Sequence, residues 1–274
     1  MKVIKFKDFN IDNFTAFLKS ASIAKSAHSI DFKQDKVSCK AFPMDTKYVK
    51  FTSIIAGDIL QFVDYPDDIQ NIVVKLASLK KIQNAMEVFS AAKIEKVSGE
   101  MHVELTRVAG HGHHACNHIK FKSPKSNLTV RCDEDNLIKC MPDTAWEAFS
   151  STATTVCKFD IDAVSMAQLE KLINIDKQNA IIVEAGVDTA CLKSKNIGGE
   201  IGMWDMQVDV NYNNVSGVAK AFNISKLLIG EVANKSYYTA YICQVTMGGN
   251  MKHTVVLRHD DHNIIVGMAN EETI

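Results

Sequence analysis

Proline is scarce in this chain. There are 4 prolines in 274 residues and glycine adds only 13, a combined usage below the ordinary level. This excludes collagenous, low-complexity and linker-rich chains and demands continuous secondary structure. Neither sign of charge dominates: Lys plus Arg number 31 against 32 Asp plus Glu, for a formal net charge of −1. Binding to nucleic acid through bulk positive charge is therefore excluded, and any basic surface must be local. Long apolar runs are missing. Ala180–Val183 and Ile264–Ala269 fall far short of the roughly 18 residues of a membrane-spanning helix, and residues 1–14 lack the apolar stretch of a secretion signal. The 7 cysteines form no Cys-x-x-Cys pair and lie mostly in apolar runs, which predicts reduced core thiols, a cytoplasmic location and no membrane partner. Absent too are a Gly-rich phosphate loop ending in Lys-Ser/Thr, a Gly-x-Ser-x-Gly elbow and any recognised Cys-His spacing, so the expectation is a protein without catalysis and without a cofactor.

What the sequence has in quantity is alternation. Lys36–Lys40, Met101–Leu105, Leu128–Cys132, Asp205–Val210 and Tyr238–Val245 alternate apolar and polar residues, the pattern of strands with one buried and one wet face. Four stretches instead follow the helical period. The first stripe is Ile11, Phe14, Phe17, Leu18 and Ala21. The second is Leu76, Leu79, Ile82, Ala85, Met86 and Phe89, the third Met166, Leu169, Leu172 and Ile173, and the fourth Ile224, Leu227, Leu228 and Val232. The chain also repeats itself. Phe9-Asn10-Ile11-Asp12 and Phe159-Asp160-Ile161-Asp162 each open a helix with Asp at the expected N-cap, and Val74–Leu79 and Phe222–Leu227 open the other two. The predicted class is α+β, with two tandem domains, each carrying two short helices packed on antiparallel sheets. Domain boundaries are placed at 1–135 and 156–274, with a connector over 136–155 whose Met141-Pro142-Asp143 and Ser150-Ser151-Thr152 break the strand pattern.

Three local clusters invite a chemical reading. Gly110–His118 holds four histidines and Cys116, but its spacing fits no zinc pattern, and a hairpin loop without a physiological metal is the working expectation; a metal-dependent hydrolase would need that loop loaded. His259-Asp260-Asp261-His262 lies between two strand-like runs and reads as a tight turn. Asp160 and Asp162 share a strand face, which suits two-metal chemistry, yet an N-cap is the expected role of Asp162.

Two tandem halves with these four openings, at Phe9–Asp12, Val74–Leu79, Phe159–Asp162 and Phe222–Leu228, and this rhythm of strands resemble the DNA sliding clamps. The length matches the two-domain subunits of the phage or viral, archaeal and eukaryotic kind better than the three-domain bacterial ones. The resemblance implies a homotrimeric ring around duplex DNA, held without sequence preference, that tethers a replicative DNA polymerase after opening by a separate clamp loader; a phage protein of this kind would work in the host cytoplasm. It implies DNA-facing lysines on the helices: Lys19 and Lys25, Lys80 and Lys81 with Lys93 just beyond, Lys171 and Lys177, Lys226 and Lys235. It implies an apolar pocket for partner peptides, drawn from Met141, Trp146, Tyr237, Ile264 and Met268. Subunits of such rings join through edge strands, expected at Val103–Arg107 and Ile119–Phe121 in the first half and near Val183 or Cys191 in the second. Residues 269–274 resemble an acidic tail. The alternative of another class is a two-domain viral interaction or transcription accessory protein that forms no ring.

Overall fold

The computed structural model describes residues 1–22, 26–43, 48–94, 97–107, 114–133, 153–175, 180–185, 189–194, 204–213, 220–225, 237–247, 249–260 and 263–272. Two compact units divide the chain: Met1–Thr46 with Lys50–Trp146, and Lys47–Val49 with Glu147–Ile274.

The first unit runs β1 (Lys2–Lys7), α1 (Ile11–Ala21), β2 (Ser26–Phe32), β3 (Lys36–Pro43), β4 (Tyr48–Ile55), a 3₁₀ turn (Ala56–Asp58), β5 (Gln61–Phe62), β6 (Ile72–Leu76), α2 (Lys80–Ala91), β7 (Ser98–Arg107), β8 (His114–Lys122) and β9 (Asn127–Arg131). Its strands neighbour one another in the order β5, β1, β7, β8, β6, β2, β3, β4, with β9 on the C-terminal half of β8. All these pairs are antiparallel except the short β6 to β8 contact.

Both helices exist because one stripe of each is apolar. Ile11, Phe14, Phe17, Leu18 and Ala21 are all buried, as are Ile82, Ala85, Met86 and Phe89, and the two stripes enter one core with the inward residues of the sheet. Phe9 and Phe121 hold its centre: their ring centroids are 5.2 Å apart, with Phe6 and Phe14 edge-on or tilted around them. Gly99 is required here by close approach. A Cβ at that position would lie 2.3 Å from Phe6 Cζ and 2.3 Å from the Lys120 carbonyl oxygen.

The second unit repeats the plan with β10 (Thr154–Ile161), α3 (Ala163–Ile175), β11 (Ala180–Ala185), β12 (Thr189–Ser194), β13 (Asp205–Asn213), β14 (Lys220–Ser225), β15 (Tyr238–Met247), β16 (Asn250–Asp260) and β17 (Asn263–Glu272). Its strands pair in a closed circuit: β10, β13, β12, β11, β14, β17, β16, β15 and back to β10. One strand makes the corner. β13 pairs with β12 over Asp205–Asp209 and with β10 over Val210–Asn213. In the first unit the same corner is divided between β4 on β3 and β5 on β1, with the 3₁₀ turn between them. Phe159, Leu169, Val183, Phe222, Ile242, Val255 and Leu257 fill the interior of the second unit.

Several expectations need correction. Leu76 and Ile224 belong to β6 and β14, not to helices; β6 is buried on both faces, and a largely apolar strand of that kind also satisfies a helical spacing. Leu227, Leu228 and Val232 lie outside the described residues, which contain three α-helices. The cap of α1 is Asn10, whose Oδ1 accepts from the Asn13 N–H at 3.0 Å, while Asp12 stands in the first turn. β10 begins at Thr154, inside the segment read as connector. Residues 269–272 are no tail: Ala269–Glu272 pair with Ile224–Ala221 of β14. Nor is His114–His118 a loop, since it opens β8; residues 110–113 lie outside the described set. Finally, most of the expected edge positions are interior, although Glu104–Arg107 run past the end of β1 and of these only Arg107 pairs, with His114 of β8. Val103 is flanked by β1 and β8, Ile119–Phe121 by β7 and β9, Val183 by β12 and β14, and Cys191 by β11 and β13. Among the described residues of the first unit, β9 is bonded on one side only, to β8, and within the unit the ends of the order, β5 and β4, likewise have one neighbour each.

Candidate nucleic-acid interface

Each helix that buries an apolar stripe turns a second stripe to solvent. On α1 this is Asp12, Ala16 and Lys19; on α2 it is Lys80, Lys81, Asn84, Glu87, Val88 and Ala91; on α3 it is Val164, Gln168, Lys171 and Asn174. Spacings of three and four residues align each set along its helix. The exposed faces carry four lysines against Asp12 and Glu87, so they are weakly basic and are dominated by small and amide side chains. Such a surface attracts phosphates without gripping them, and it carries no pattern of donors for reading base edges.

The lysines differ in freedom. Lys19, Lys80 and Lys171 are exposed. Lys81 is bound to Asp133 through Nζ to Oδ1 at 2.5 Å, and the other oxygen of Asp133 accepts from the Ala77 N–H at 2.6 Å. Asp133 thus supplies the carboxylate that α2 lacks at its own first turn, favourable beside the positive end of a helix. Burial opposes its ionisation, but the bonds from Lys81 and Ala77 outweigh it and hold the carboxyl below the usual range. A phosphate reaching Lys81 must compete with Asp133. Lys25, Lys177, Lys226 and Lys235 lie outside the described residues, and Lys93, just past α2, is exposed with φ +49°. Asn84, Gln168 and Asn174 were missed by a search for cations; their place opposite the apolar stripes is the signal that finds them.

At α3 the cap is Asp162. Its Oδ1 accepts from the Ser165 N–H at 2.6 Å, which with the Ser165 hydroxyl holds the carboxyl below its ordinary range. Asp160 instead accepts from the Thr239 hydroxyl at 2.9 Å. The two aspartates therefore serve a helix end and a strand contact. Of the expected turn, His259 and Asp260 end β16, where Asp260 pairs with Asn263 of β17, and Asp261 and His262 lie outside the described residues; His259 Nδ1 lies 2.9 Å from the Tyr237 carbonyl. Among the described residues no group of three His, Cys, Asp or Glu side chains is placed to hold a metal, and no helix is long and apolar enough to cross a membrane.

Of the expected peptide-binding residues, Met141 and Trp146 lie outside the described set. The other three share one face of the second unit. Register carries Thr239 to Arg258 and on to Ile264, with Tyr237 one step further along β15, while Met268 stands four residues along β17 on the side of Ile264. Tyr237 is 46% exposed and Met268 half-buried, but Ile264 is only 8% exposed and contributes little free surface. Val256 and Val266, opposite each other and half-buried, continue the apolar row.

No family model matches the sequence, and no curated protein matches it. Solved structures match in fold. A DNA polymerase sliding clamp from Pseudomonas aeruginosa superposes with a TM-score of 0.62 at 11% identity, over 97% of this chain and 66% of that one. The Helicobacter pylori beta clamp bound to a DNA ligase peptide gives 0.58 at 12% identity, over 99% of this chain and 66% of that one. A chain of the PCNA2–PCNA3 complex from Sulfolobus tokodaii gives 0.50 at 10% identity, over 99% of both. The protein has the sliding-clamp fold. It spans about two thirds of the length of the bacterial clamps it matches and nearly all of the Sulfolobus chain.

Proposed function

We propose that this protein is a DNA sliding clamp, a non-catalytic ring subunit that encircles duplex DNA and tethers a DNA polymerase. The observation that carries the reading is the doubling of one clamp unit over nearly the whole chain, with weakly basic helix faces in both units. Two units per chain suit a ring of three copies, the count that gives six units around the duplex. A closed ring keeps its partner near the template because departure requires opening, so effective concentration replaces affinity, and a nearly neutral helix surface is then an advantage. Opening falls to a separate ATP-driven loader. The apolar row beside Tyr237 and Met268 is the proposed seat for a polymerase or ligase peptide, in line with the peptide-bound Helicobacter clamp.

Light scattering across a concentration series, followed by retention on nicked circular and linearised DNA, tests this. The expected result is a mass three times the 30.4 kDa of the chain and loss from DNA on linearisation. A stable monomer, or equal retention on both DNAs, overturns it and favours a two-domain interaction protein.

A further inference from the structure

We propose that Cys116 and Cys132 are a redox-responsive pair that closes to an intramolecular disulfide, pinning the end of β9 to β8.

The argument begins with register. Along β8 and β9 the partners are Lys122 with Asn127, Phe121 with Leu128, Lys120 with Thr129, Ile119 with Val130 and His118 with Arg131. Continued without interruption, Cys116 would face Asp133, and the two cysteines would lie on opposite faces of the sheet. The interruption is Asn117. On the other side of β8, His102 pairs with His118 but Val103 pairs with Cys116, so Asn117 is an extra residue in the strand. Its carbonyl accepts from the Cys132 N–H at 2.9 Å. The bulge restores Cys116 to the inner face, the side on which Cys132 packs against the same core. Cys116 belongs to the apolar core, where its Sγ donates to the His118 carbonyl at 3.4 Å, and Cys132 packs against that core near enough to act on the Cys116 thiol. Cross-strand neighbours of this kind have the Cβ separation from which a disulfide forms with little backbone movement.

Accessibility sets the order of events. Cys116 is 3% exposed, and the neighbouring Cys132 thiol together with burial pushes its own thiol well up from the ordinary range; Cys132 is half-buried. A peroxide therefore meets Cys132 first. The Cys132 sulfur attacks one peroxide oxygen, the O–O bond breaks, and a sulfenic acid and a water form. The Cys116 sulfur then attacks the Cys132 sulfur, the S–O bond breaks, and the Cys116 proton leaves with the hydroxide as a second water. Two thiols are oxidised and one peroxide is reduced.

The test treats the full-length protein with hydrogen peroxide, denatures it in N-ethylmaleimide and maps peptides by mass. The expected result is loss of two alkylated thiols, a cross-linked peptide pair containing Cys116 and Cys132, recovery of both thiols with dithiothreitol, and a melting midpoint several degrees higher in the oxidised form. Cys132→Ser, at the more exposed position, should keep the fold and lose both the cross-link and the shift. Full alkylation of Cys116 and Cys132 after oxidation, a Cys132 sulfinic acid with Cys116 free, or cross-links only to other cysteines would each overturn the proposal.

Discussion

His28 shows how a single buried residue ties the fold to pH. It sits on β2 between Ala41 and Leu76, 2% exposed, and burial is the main reason its pKa is lowered from 6.5 to about 4. The unfolded chain takes up this proton near pH 6.5 and the folded one does not until about pH 4. Stability therefore falls as pH drops through that window, by up to about 3 kcal/mol, and is indifferent to this group above it. Urea midpoints measured from pH 7 to 4 should show a shallower slope for His28→Asn than for the wild type, whatever the variant costs at neutral pH. An unchanged slope would place the acid sensitivity elsewhere. Nothing in the sequence marks His28 out among nine histidines, because burial is decided by strands that arrive from distant positions. Gly99 is similar: its need follows from a Phe6 ring 93 positions away in sequence.

At the scale of elements, β9 carries the sharpest consequence. Cys132 bonds to Asn117 through its N–H and Ser126 bonds to Ser123 through its carbonyl, so even-numbered residues of this segment address β8 and Asn127, Thr129 and Arg131 turn their backbone groups outward. Thr129→Pro removes an outward N–H and leaves the β8 ladder intact. If β9 pairs with another copy, the variant should melt within a few degrees of the wild type yet lose the trimer by light scattering at concentrations where the wild type is assembled. A trimer of normal stability would exclude β9 from the contact. The helices were largely legible, because their burial is written at i, i+3 and i+4; all five residues of the first stripe are buried. Edges were not legible, since Val103 and Thr129 stand in equally alternating runs and only topology leaves one exposed. The Cys116–Cys132 pairing was hidden for a related reason: a one-residue bulge inverts the parity on which strand reading depends.

For the whole molecule, weak helix charge and the proposed ring closure make opposed predictions about salt. Each phosphate neutralised adds about 0.9 to the logarithmic salt slope, so transient binding to linear fragments should weaken steeply with salt, while retention on closed circles should persist because no contact has to survive. Lys19→Glu, Lys80→Glu and Lys171→Glu combined should flatten the first dependence, impair loading and leave the melting midpoint nearly unchanged. If the triple variant unfolds instead, these lysines serve the fold rather than DNA.

Asp133 has a mechanical meaning as well. A pull on the chain where it leaves β9 would, with no anchor, peel an edge strand one bond at a time. The Asp133 N–H is tied to the Lys75 carbonyl at 2.9 Å, and its side chain to Ala77 and Lys81. Tension applied beyond this residue therefore bypasses β9 and passes into β6, which lies between β2 and β8, and into the start of α2. The first unit is tethered at its interior, and a partner drawing on the following segment would tug on α2 before it could unzip β9.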